Sequence, residues 1–164
     1  MERRHRYETR TTWTGDVGHG TSGHAAYERA HETAAAGRPP ILSSSDPSFR
    51  GDAARWNPEL LLVASLSQCH MLWYLSLCAA SGVVVVGYDD DASGVMIESA
   101  DGGGRFESVT LRPQVQIVTC DRLDRARELH DEAARRCFIA ASVSFPVHHA
   151  PVIDVVQPTP GTST

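Results

Sequence analysis

Two thiols sixty-eight positions apart are the residues of this chain best suited to chemistry: Cys69 and Cys137. Cys69 lies in Asn57-Pro58-Glu59-Leu60-Leu61-Leu62-Val63-Ala64-Ser65-Leu66-Ser67-Gln68-Cys69-His70, a polar start followed by an apolar run with a sulfur and an imidazole in its middle. Cys137 closes a charged segment, residues 121–136, and precedes Phe138-Ile139-Ala140-Ala141. Well-separated thiols of this kind suit redox chemistry. A cysteine attacks a peroxide only as thiolate, so a nearby cation or hydrogen-bond donors must lower an ordinary pKa of roughly 8.5. A lone cysteine on an apolar helix is more often a small core residue, and Cys78 and Cys120 are read that way.

The elements that must position these groups follow from local signals. Asn57 as N-cap, Pro58 at the first helical position and Glu59 in the first turn start a helix that runs to about Ala80, stopped by Ser81-Gly82. Its apolar residues lie nearly all round, as in a helix buried at the centre of a domain or crossing a membrane. Ser65, Ser67, Gln68 and His70 interrupt the run and favour burial in soluble protein. Glu59 and Cys69 are ten positions apart on this helix, roughly 15 Å, and cannot touch within one chain. Two copies packed antiparallel about a two-fold axis would bring the start of one helix to the middle of the other. His70 follows Cys69 directly, but successive helical residues point about 100° apart, so it reads as a core or interface histidine. Trp73 and Tyr74 read as core packing, or as an aromatic wall beside Cys69 that favours alkyl over small polar peroxides.

Before this helix, residues 7–14 form a strand ending at a turn, 17–24 a loop, and 27–35 a second strand. Ile41-Leu42 is a short extended segment, and residues 43–56 form a long loop. After it come strands at 83–88 and 94–99 and a glycine hairpin loop at 101–104. One long antiparallel strand then covers 106–120, with Pro113 marking an edge or bulge. An amphipathic helix over 121–136 presents Leu123, Ala126, Leu129 and Ala133; strands at 143–147 and 152–156 and a frayed tail at 158–164 complete the chain. This grouping implies an α+β fold.

The 164 residues fit one domain, and 41% hydrophobic with 21% charged content is globular. A net charge of −5, with no basic tract, argues against a nucleic-acid or anionic-membrane partner. No apolar segment follows the charged N-terminus, so no secretory signal is read and a cytoplasmic location is expected. None of the four cysteines forms a CxxC pair. His148-His149 and the scattered His19, His24 and His31 lack ligand spacing on one element, so neither metal nor organic cofactor is expected.

The block Asn57-Pro58-Glu59-Leu60-Leu61 with Ala64-Ser65-Leu66 and Cys69-His70 resembles the osmotically inducible protein C and organic hydroperoxide resistance (OsmC/Ohr) family. So do Gly82 with its following strand, Val109-Thr110-Leu111-Arg112-Pro113, and Cys137 near a later helix end. The match is firm over about 45–147 and implies a single OsmC-like domain over 1–164. The resemblance implies an intertwined homodimer in which long antiparallel sheets wrap central buried helices, and a thiol peroxidase that reduces organic hydroperoxides. Carried over, Cys69 is the peroxidatic cysteine that becomes a sulfenic acid, and Cys137 resolves it as a disulfide. An external dithiol, such as a dihydrolipoyl group on a protein, then reduces that disulfide. Glu59 would orient an arginine against the thiolate.

The hydroperoxide-resistance branch carries that arginine in the glycine turn after the first strand, where this chain reads Thr14-Gly15-Asp16-Val17-Gly18-His19. Arg29 is the first substitute, as a strand residue facing inward, with Arg50 and then Arg55 behind it. Two other classes stay open: a binding or sensing protein of the same fold with little turnover, and a cysteine hydrolase or acyltransferase needing a histidine base on Cys69.

Overall fold

Asn57 starts the long helix as its type requires, its Oδ1 accepting the Leu60 N–H at 2.7 Å. In the computed structural model, which describes residues 3–118 and 120–157, this helix, α1, spans Pro58–Ala80. Gly82 ends it at φ 70°, with Gly82 N–H on Ala79 O at 3.4 Å and Val83 N–H on Cys78 O at 3.0 Å. That paired return is a Schellman stop, which needs a left-handed residue. The buried residues of α1 are Leu66, His70, Tyr74, Leu77 and Cys78, a single stripe at helical spacing. The helix is long and apolar enough to cross a bilayer (mean hydropathy 1.4), yet only 22% of that stretch is buried in the chain.

The chain divides into two units, Met1–Leu62 and Val63–Thr164. In the first, β1 (Arg10–Trp13), β2 (His31–Ala34) and β3 (Ile41–Ser43) form an antiparallel sheet in that order. The second strand is shorter than the 27–35 expected, because residues 28–30 precede the ladder and Arg29 lies outside it. Gly15 is required where it stands: a Cβ there would lie 1.9 Å from Glu28 O. The 43–56 loop holds one 3-10 turn, Pro47–Phe49, capped by Asp46, whose side chain accepts from Ser48 N–H.

The second unit holds two mixed three-stranded sheets. β4 (Val85–Asp90), β7 (Pro113–Ile117) and β9 (Val152–Val155) form one; β5 (Ser93–Glu98), β6 (Gly104–Leu111) and β8 (Val147–His149) form the other. β8 and β9 join their sheets in parallel. The single strand expected over 106–120 is therefore two, broken at Arg112, whose N–H is taken by Asp90 Oδ1 at 2.6 Å instead of a ladder partner. The apolar alternation runs through the break: Val109, Leu111, Pro113, Val115 and Ile117 are all buried. Residues 143–147, expected as a strand, are irregular after a 3-10 turn at Ala140–Ser142, and pairing begins only at Val147. The charged helix, α2, spans Leu123–Arg136 and buries Ala126, Leu129, His130 and Ala133. Those α2 residues pack with Tyr74, Leu77 and Cys78 of α1 and Val115 and Ile117 of β7, while Leu66 packs with Val109 and Leu111. The architecture is α+β. The tail expected at 158–164 lies outside the described residues.

Candidate functional site

Helical spacing gives α1 a second face beside its buried stripe. Cys69, Leu72, Trp73 and Ser76 recur at i, i+3, i+4 and i+7 and, with Phe138, line a pocket of about 310 Å³. The Phe138 ring meets Trp73 edge-on at 5.6 Å, and the Arg136 guanidinium stands 5.8 Å from the Trp73 ring. Ser67, two residues before Cys69 on α1, donates to Asp90 Oδ2 at 2.6 Å and ties the helix to β4. Cys69 is half-buried and opens on this pocket, whose walls are apolar apart from Ser76 and the thiol.

Cys137 follows the last residue of α2 and is 2% exposed. Its thiol is in hydrogen-bond contact with that of Cys69, and both are free. Burial first, and the Cys69 sulfur second, push the Cys137 thiol up to about 11, against the pull of the Ala140 N–H that donates to its Sγ at 3.4 Å. Cys137 is thus a protonated thiol at neutral pH, screened from solvent, while its neighbour has access to the pocket. Cys78 is a core residue, its thiol raised chiefly by burial beside Tyr74.

The other sequence candidates belong to the first unit. Arg29, Arg50 and Arg55 line one pocket of about 380 Å³ with Tyr27, Glu28 and Asp52. Arg29 donates to Tyr27 O at 2.7 Å and lies 4.2 Å from the Tyr27 ring centroid; Arg55 pairs with Asp52 at 3.6 Å. Arg29 is not on the strand where it was expected but two residues ahead of β2. Arg50 takes a left-handed conformation, φ 66°, at the end of the 3-10 turn. Glu59, in the first turn of α1, has a buried Oε2 with no hydrogen-bond partner.

His70 is fully buried and faces away from the pocket, its Nε2 3.0 Å from His130 Nδ1. His130 was missed in the sequence because its place on the apolar face of the charged helix was overshadowed by the Leu and Ala around it; the spacing from Ala126 to Ala133 was the available signal. Phe138 was likewise passed over as a pocket wall. Among the described residues no group of three or more His, Cys, Asp or Glu is arranged to hold a metal ion.

Residues 51–150 match the family model described as OsmC-like protein. An OsmC-like protein of unknown function from Vibrio cholerae is 30% identical, with a TM-score of 0.82 over 91% of this chain and 100% of that one. An organic hydroperoxide resistance protein from Elizabethkingia anophelis shares the fold at 16% identity, with a TM-score of 0.65 over 94% of this chain and 100% of that one. One from Legionella pneumophila does so at 12% identity and a TM-score of 0.63, over 94% and 100%. No curated protein is matched.

Proposed function

Because the chain belongs to the OsmC-like family, we propose that it is a thiol-dependent peroxidase that reduces organic hydroperoxides through Cys69 and Cys137. The observation that carries this reading is one thiol open to an apolar pocket with a second, buried thiol in contact behind it. Walls of Leu72, Trp73 and Phe138 suit an alkyl or aryl group and give a small polar peroxide little to bind.

In the proposed cycle the Cys69 thiolate attacks the terminal oxygen of ROOH; the O–O bond breaks, the alkoxide leaves and takes a proton to become ROH, and Cys69 is left as sulfenic acid. The Cys137 thiol then attacks the Cys69 sulfur. An S–S bond forms, the S–O bond breaks, and the departing hydroxide takes the Cys137 proton as water. A dithiol, of which a dihydrolipoyl protein is one source, restores both thiols by exchange.

The cation for the Cys69 thiolate is assigned to Arg29, with Arg50 and Arg55 as alternates in the same pocket. The unsatisfied Glu59 Oε2 supports a guanidinium nearby, since a buried carboxylate oxygen calls for a donor. Ten helical residues separate Glu59 from Cys69 in one chain, so Glu59 of the partner subunit is the one that acts, and the protein works as a homodimer. A soluble, cytoplasmic protein is the setting this chemistry fits.

The test is consumption of cumene hydroperoxide with a dithiol reductant. Cys69→Ser should abolish it, and Cys137→Ser should give one turnover and leave a trappable sulfenic acid on Cys69. Steady-state turnover by Cys69→Ser would remove Cys69 from the mechanism. Tight retention of an apolar ligand with no peroxide loss in the native protein would favour a binding or sensing role instead.

A further inference from the structure

Two imidazoles with no part in the chemistry above are buried between the same two helices that carry the thiols. His70 of α1 is 0% exposed and His130 of α2 is 2% exposed, with Nε2 and Nδ1 3.0 Å apart. Tyr74 stacks on His130, ring centroids 3.8 Å apart, and His149 of β8 lies against His70 at 4.5 Å. The outer nitrogens, His70 Nδ1 and His130 Nε2, are buried with no partner. A neutral pair can form this bond with the proton on either ring, and both arrangements leave one outer N–H and one outer lone pair unsatisfied. A core that only needed volume here would lose nothing by being apolar, so the pair calls for another reason.

The positions supply one. Cys69 immediately precedes His70, and Cys137 lies seven residues, about two helical turns, beyond His130, on the same side of α2. The helices therefore meet at two points, imidazole on imidazole and thiol on thiol. Apolar contacts tolerate sliding, whereas a buried hydrogen bond is satisfied in one registration. A roll of α1 that kept its apolar stripe covered but moved Cys69 off Cys137 would also break the imidazole bond. We propose that the His70–His130 hydrogen bond is a positioning clasp that sets the roll of α1 against α2 and holds the Cys69 sulfur against the Cys137 sulfur for disulfide formation. The clasp rests on the proposed function only in taking the two thiols as a redox pair, and it requires no peroxide.

The experiment therefore uses glutathione. In the full-length protein, one oxidised glutathione takes two electrons from the Cys69/Cys137 dithiol, giving the disulfide, two reduced glutathiones and no other product. The equilibrium constant is read by alkylation and mass spectrometry at pH 7.5. His130→Phe keeps a ring for Tyr74 and removes the bond; it should lower the constant at least tenfold. His130→Gln, whose amide both donates and accepts, should return it to within about threefold of the native value. A native-like constant in folded His130→Phe overturns the proposal, as does a loss in His130→Gln equal to that in His130→Phe. Should His130→Phe not fold, the native protein decides: a bridging imidazole N–H in long-range ¹⁵N–¹H correlation spectra, present in both dithiol and disulfide forms, supports the clasp, and its absence from either overturns it. Peroxide inertness of a native protein whose disulfide equilibrium still depends on His130 would refute the peroxidase reading and leave the clasp standing. Peroxide consumption with an equilibrium indifferent to His130 would do the reverse.

Discussion

Burial decides the behaviour of individual side chains in the second unit. It pushes His70 down to about 3 and His130 down to about 4, with His149 adding to both shifts and His70 also repelled by His130. The group facing them, His149, is itself held low by burial while Asp131 and Asp90 pull the other way. Above the ordinary histidine pKa of roughly 6.5, both folded and unfolded chains keep these rings neutral and no penalty arises. Below it, the unfolded chain takes up protons that the folded chain refuses until the pH nears 4 and then 3. Stability should therefore fall with acidification by on the order of 1 kcal/mol per histidine per pH unit between about 6.5 and 4. Urea unfolding at pH 6.5 and 5.0 measures this, and His130→Gln should flatten the slope; equal native stabilities at the two pH values would show that the rings titrate normally. At this scale the candidate thiol was legible from type and company, because a thiol followed by a histidine on an apolar helix is rare enough to notice. The contact between Cys69 and Cys137 was expected only through the family resemblance, since nothing local in sixty-eight residues records how α2 folds back.

Elements were readable where their ends carry chemistry of their own. Asn57-Pro58-Glu59 and Ser81-Gly82 mark α1 at both ends because capping is a local interaction, settled within four or five residues. Gly82 tests this directly: at φ 70° an alanine would be strained, though no neighbouring atom obstructs its Cβ. Gly82→Ala should cost about 1 kcal/mol, read as a lower urea midpoint with an unchanged slope, and a neutral effect would mean the helix frays without consequence. The strand at 106–120 was misread for the complementary reason. Alternation alone continues unbroken from Val109 to Ile117, and the interruption at Arg112 depends on a distant carboxylate, Asp90, capturing its N–H. The 143–147 segment failed similarly: Val143, Phe145 and Val147 alternate, but Val143 and Phe145 pack as irregular chain over the cluster around Leu66 before pairing starts.

The molecule as a whole leaves apolar surface that a solitary chain has no use for. All six residues of the edge strand β5 are exposed, among them Val95 at 52%, Met96 at 38% and Ile97 at 37%, and Val84 just before β4 and Val86 within it are about half exposed. Helix α1, apolar nearly all round, buries one stripe. Scattered apolar side chains are normal on a surface, but an open strand edge with apolar side chains and an uncovered apolar helix invite association. A bilayer is the other possible cover for α1, yet Ser67 is bonded to Asp90 and Gln68 is exposed midway along it, which a lipid-facing span would not favour. A second copy would meet these demands and, under the proposed function, would supply the carboxylate that a single helix holds ten residues from its own thiol. Light scattering at micromolar concentration should therefore give twice the 17.8 kDa chain mass. Peroxide turnover per chain should fall on dilution through the dimer dissociation range, in step with the mass. A monomer with undiminished turnover would mean that Cys69 draws its support from within its own chain, and the two-subunit site would have to be abandoned.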